Sequence, residues 1–160
     1  MRCVIQRSGP ARVRIDGEIV GSIDSGLVVL VAFKPADGET ELTWMARKIP
    51  SLRLFNDAQG RINCSLREVG GGILLVSQFT LYGDCRKGNR PSFVGSAPAD
   101  QAAALYRRFA ELLNQEWPDT AGGRFGAMMD VELVNQGPVT VIVDRDPPRA
   151  GSSPAPEGTV

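Results

Sequence analysis

The sequence predicts an α+β fold, a β-barrel-like sheet flanked by two helices. Three observations predict it. Strand-like runs recur from residue 2 to residue 144. Only two segments carry apolar residues at helical spacing. Glycine- and proline-containing turns separate these runs, and the strands outnumber the helices enough to favour a curled or sandwiched sheet.

Taken in order, "RCVIQR" reads as a strand, and "ARVRIDGEIVGSI" alternates and turns at Asp16-Gly17, a dipeptide suited to a type I′ hairpin. "GLVVLVAF", residues 26–33, is apolar throughout and fits a strand buried on both faces. Leu42, Met45, Ala46 and Ile49 share one face of a helix over residues 39–49, with Pro50 at or just beyond its end. "SLRLFND" is a short strand and "DAQGR" a turn. "GGGILLVSQFTLYGD", residues 70–84, reads as one strong strand. A second helix is capped by Ser96, carries Pro98 in its first turn, and has Leu105, Phe109, Leu112 and Leu113 as its apolar stripe. A last strand region runs from about Met128 to Asp144. Residues 1–145 form one domain, and the Pro-, Gly-, Ala- and Ser-rich stretch 146–160 is expected to be a disordered tail.

Composition narrows the chemistry. The 160 residues hold 18 Lys and Arg against 18 Asp and Glu, so net charge is zero and a polyanion would need a local basic patch. Cys3, Cys64 and Cys85 are far apart and suggest neither a disulfide framework nor a zinc site, which points to a reducing, cytoplasmic setting. No apolar run approaches membrane-spanning length. There is no histidine. That excludes Ser-His-Asp triads, Cys-His pairs and histidine general bases. Hydrolysis must rely on carboxylates, hydroxyls, backbone groups or the substrate.

Four stretches could carry function. "SQFTL" at 77–81 sets Ser77, Gln78 and Thr80 in an apolar run. Strand alternation would put Ser77, Phe79 and Leu81 on one face and Gln78 and Thr80 on the other. Such polar groups either find internal partners or line a pocket. Thr80 has no base to make it a nucleophile. "NQGPVT" at 135–140 interrupts the most β-prone run with Gly137-Pro138, which reads as a trans bond at a bulge or edge unless the interruption has a purpose. "GRFGAMM" at 123–129 offers either core or a stacking platform for a base. "CRKGNRP" carries Arg86, Lys87 and Arg90, a solvated turn or a phosphate contact.

Taken together, "IQR" at 5–7, "SQFTL", "RPSF" at 90–93, "GRFGAMM" and "NQGPVT" give the chain from Met1 to about Asp144 its resemblance to the D-aminoacyl-tRNA deacylase family. The resemblance implies the deacylase-like fold, a homodimer, no metal and no cofactor. It implies hydrolysis of the ester between a D-amino acid, or mischarged glycine, and the 3′-terminal adenosine of tRNA. By the same resemblance Ser77, Gln78, Phe79 and Thr80 line the reacting ester. Gly137 and Pro138 form a Gly-cisPro selectivity element that enters the other subunit's pocket, Arg7 orients that element, and Phe125 and Met129 seat the adenine. Two other readings stand beside it: a Thr80-nucleophile esterase acting on small D-amino acid esters, and a non-catalytic dimeric RNA-binding module.

Overall fold

A computed structural model describes residues 1–147. The chain opens with β1 (Arg2–Ile15), β2 (Glu18–Ile23) and β3 (Gly26–Ala32). It continues through α1 (Glu39–Lys48), a 3-10 turn at Ile49–Ser51, β4 (Arg53–Asn56), β5 (Ile62–Ser65) and α2 (Leu66–Val69). Then come β6 (Gly72–Ser77), a second 3-10 turn (Phe79–Tyr82), α3 (Ala99–Glu116), β7 (Thr120–Gly122) and β8 (Asp130–Asp144).

The main sheet runs β2-β1-β3-β6-β7, with β8 paired to β1. Neighbours are antiparallel except for β3–β6 and β6–β7, which are parallel. The sheet curls until its ends approach. A Cβ on Gly21 of β2 would come within 2.6 Å of the Gly122 carbonyl of β7. The mixed sheet is therefore nearly barrel-shaped, as the sequence predicts. The pairing of the 14-residue β1 with the 15-residue β8 forms the back of this barrel, with β8 at its outer margin.

Alternation on β3 explains why that strand is apolar throughout. Leu27, Val29 and Val31 face one core with Leu42, Met45, Phe109 and Leu113 from α1 and α3. Val28 faces the barrel interior with Val13, Leu74 and Val76. The Asp16-Gly17 turn has φ of 52° and 85°, the paired positive angles of a type I′ hairpin. The α1 helix keeps the predicted register, with Leu42, Met45 and Ala46 buried and Ile49 buried just past its end.

Five expectations change. β1 does not break at Ser8-Gly9-Pro10 but bulges there and continues. The strand read over 70–84 ends at Ser77, because Gln78 leaves the extended region and the chain closes into the 3-10 turn. Strand alternation therefore does not apply to residues 78–81. Ser96 does not cap α3. Pro98 occupies that position, and the Ser96 hydroxyl donates instead to the Phe79 carbonyl at 2.9 Å. There are three helices rather than two, since Ser65 and Glu68 form a capping box around the short α2. β5 and β7 are strands the sequence reading left unassigned. Asp146 lies 2.5 Å from the Lys34 ammonium. The rest of the expected tail, 148–160, lies outside the described residues. Among the described residues no helix is long and apolar enough to cross a membrane.

Candidate active site

Where β6 ends, the Gln78 amide donates to the Val31 carbonyl at 2.8 Å, continuing the parallel ladder for one residue. The chain then turns. The Leu81 amide donates to the Gln78 carbonyl at 3.1 Å and the Gly83 amide to the Thr80 carbonyl at 2.9 Å. No backbone hydrogen bond from the Phe79 or Thr80 amide to another element is found among the described residues. The opening amides of a helical turn have no partner within it, so this pair remains available to a ligand. The Gln78 side-chain amide donates to the Thr80 hydroxyl.

The turn forms one wall of a cleft of about 690 Å3. Ser77, Gln78 and Phe79 line that wall, Ala97–Ala99 and Ala102 at the start of α3 line the second, and 125–129 line the third. Phe125 and Met129 both face the cleft, whereas Thr80 is not among its lining residues. Two ring pairs set its shape. Phe79 meets Phe93 edge-on with centroids 5.1 Å apart, and Phe125 tilts against Tyr106 at 5.7 Å. Tyr106 is itself anchored, because its hydroxyl donates to the Leu75 carbonyl at 3.1 Å, and burial pushes its pKa up to about 12. Phe79 is 55% exposed and Met128 93% exposed, large apolar surfaces left open at the mouth. The sequence reading named Phe125 and Met129. It quoted Phe93 only within "RPSF" and passed over Ala97 and Ala102, whose small side chains give no signal except by leaving space.

Gly137 and Pro138 lie elsewhere. Their bond is cis. Between the pairs Gln6–Thr140 and Ser8–Asn135, two steps of β1 face five of β8, so three residues loop out of the ladder. Arg7 holds this excursion. Its Nε donates to the Gln136 carbonyl at 3.0 Å, and its Nη1 donates to the Leu54 carbonyl at 2.9 Å and to Asn56 Oδ1 at 3.0 Å. The Val139 amide donates to Asn135 Oδ1 at 3.0 Å, closing the base. Gly137 has φ of +126°, and a Cβ there would lie 2.7 Å from Arg7 Nη2. Both features require glycine.

The excursion and the cleft do not meet within one chain. Arg7 pairs with Leu27 and Leu27 with Ile73, while Gln78 stands five residues further on beyond β6. At about 3.3 Å per residue and about 4.8 Å per strand, the separation is on the order of 20 Å.

Comparison with known proteins shows the family. Residues 4–144 match the family model described as D-Tyr-tRNA(Tyr) deacylase. A D-aminoacyl-tRNA deacylase of Desulfatibacillum aliphaticivorans is 55% identical over 90% of this chain and 99% of that protein. Another, of Thermus aquaticus, is 51% identical over 90% of this chain and 95% of that one. Among solved structures, the c-Myc DNA Unwinding Element Binding Protein aligns with a TM-score of 0.86 at 37% identity, covering 92% of this chain and all of that one. A probable eukaryotic D-amino acid tRNA deacylase aligns at 0.78 and 20% identity, covering 90% of this chain and 98% of that one, a likeness of fold. With its motifs, its curled sheet and nearly its whole described length in agreement, the chain belongs to the D-Tyr-tRNA(Tyr) deacylase family.

Proposed function

We propose that this protein hydrolyses the ester joining a D-amino acid to the 3′-terminal adenosine of tRNA, also clears glycyl-tRNA, and spares the L-aminoacyl esters. The observation that carries the reading is the cleft in which Ser77, Gln78 and Phe79 face Phe125 and Met129, within a chain that matches the family over residues 4–144. An apolar wall of Phe125 and Met129 suits a stacked adenine. The aminoacyl ester then lies against the 77–80 turn, where the free Phe79 and Thr80 amides can receive the negative charge that develops on the carbonyl oxygen. One such donor contributes about 2.7–4 kcal/mol in other enzymes. With no histidine in the chain, the ribose 2′-hydroxyl beside the ester is the group best placed to orient or deprotonate the attacking water.

Selectivity is assigned to the Gln136–Pro138 excursion. D and L esters differ by exchange of hydrogen and side chain at one carbon, and a fixed obstacle on one side rejects the wrong enantiomer by clash. Main-chain atoms held by the Arg7 bond to the Gln136 carbonyl, with Arg7 itself fixed by the Leu54 carbonyl and Asn56, make such an obstacle. Glycine has no side chain to clash and passes. Because the excursion lies far from its own cleft, it serves the cleft of a second copy, and the working unit is a homodimer. Its substrate, charged tRNA, places the protein in the cytoplasm. Deacylation of matched D-Tyr-, L-Tyr- and glycyl-tRNA tests the reading. Hydrolysis of the first and last alone is expected, and equal hydrolysis of D- and L-Tyr-tRNA would contradict it.

A further inference from the structure

A chain of zero net charge grips a polyanion only through a local set of free cations. Eight Lys and Arg side chains here are engaged in ion pairs with Asp or Glu. Five others, Arg61, Lys87, Arg90, Arg107 and Arg124, make no ion pair, side-chain hydrogen bond or ring contact among the described residues. Three of these five flank the cleft from opposite sides. Lys87 and Arg90 stand exposed in the loop closed by the Asp84–Ser92 bridge. The next residue, Phe93, lines the cleft and packs on Phe79. Arg124 is exposed on the other lip, directly before Phe125. The carboxylate of the loop, Asp84, does not oppose them. Arg86 closes on it through both carboxylate oxygens and holds it near a pKa of about 2.

We propose that Lys87, Arg90 and Arg124 form a two-sided clamp on the backbone phosphates of the RNA strand that leads into the cleft, just upstream of its terminal nucleotide. The proposal rests on the reading above, in which that nucleotide sits against Phe125 and Met129. A strand whose last base is buried there must leave between the two lips. Contacts to phosphate carry no sequence information, so the clamp accepts many tRNAs while fixing where the end lies. Such contacts release counterions, and their signature is a steep salt dependence.

The experiment is equilibrium binding of uncharged tRNA to the full chain across a salt series, for the parent, Lys87→Glu/Arg90→Glu, Arg124→Glu and the control Arg61→Glu. Arg61 carries the same free charge in the turn before β5 and does not line the cleft of its own chain. The slope of log K against log salt is expected to shrink by about 1 for each clamp cation removed, with Arg61→Glu close to the parent. A fold-only defect weakens binding without flattening that slope. Equal slopes in all four proteins, or the same loss in the control, would overturn the clamp. The functional reading fails separately: binding with no deacylation of D-Tyr-tRNA leaves the clamp standing and removes the enzyme.

Discussion

At the scale of single residues, Thr80 is the hydroxyl that invites a nucleophilic role, and its surroundings argue against one. It lies beside Gln78, whose amide donates to it, and no histidine exists to take its proton. Deleting a true nucleophile costs about 10⁶-fold in the enzymes where it has been measured. Thr80→Ala is expected to lose less than about a hundredfold, the lower end of what a proton-transferring group supplies. Single-turnover deacylation of D-Tyr-tRNA measures it. A collapse to the uncatalysed rate would reinstate a covalent mechanism. Gly137 shows how little one residue reveals alone. Its sequence context permits a routine trans bulge; only Arg7, 130 positions earlier in the chain, shows that the site is built and held.

At the scale of elements, α3 and β6 meet through Tyr106. The hydroxyl donates to the Leu75 carbonyl on β6, and the ring supports Phe125 in the cleft. Tyr106→Phe removes one buried hydrogen bond and leaves the Leu75 carbonyl with the Gly123 amide as its donor, at a cost of about 1 kcal/mol. For a domain of this size that lowers Tm by about 2–4 °C. Thermal unfolding checks it, and an unchanged Tm would show the bond to be idle. Elements fixed by local chemistry were legible in the sequence: the Asp16-Gly17 hairpin, the doubly buried β3, the amphipathic stripe of α1. The box Ser65-Leu66-Arg67-Glu68 was equally local and announces α2, yet it lay in a stretch the sequence reading left unassigned. What was not legible depends on distant partners. β6 ends at Ser77 in a run that looks like continuous strand, and β7 exists only because it finds β6 across the intervening α3. The cleft shares this property. Its polar wall could be named from "SQFTL", but its small-residue wall and the remoteness of the Gly137 excursion follow from packing and register.

At the scale of the whole molecule, charge pairing sets the pH response. With no histidine, the usual source of titration between pH 5 and 8 is missing. Several carboxylates are held below their ordinary range: Glu39 by Arg108, Glu132 by Arg14, Asp144 by Arg2, and Glu68 by the Ser65 amide and hydroxyl. A depressed folded pKa stabilises the fold above the unfolded value near 4, and the gain disappears as pH falls through the folded one. The phenol of Tyr106 has the opposite sign. Raised to about 12, it leaves stability intact below the unfolded value near 10 and withdraws it as pH climbs through the folded one. Burial raises the Cys3 thiol in the same sense, from an unfolded value of about 8.5, so Tm is expected to be level from about pH 5 to 8 and to fall on both sides. A transition centred near pH 6 or 7 would contradict this.

The long outer strand β8 raises a question of its own. A 15-residue strand paired along one edge would expose a row of unsatisfied donors and acceptors, the kind of template on which further chains can stack into fibres. The three residues that leave the ladder at Gln136 to Pro138 break that row, and the proline removes a donor from it. The interruption thus guards against indiscriminate strand recruitment, a protection that operates whether or not any substrate is present.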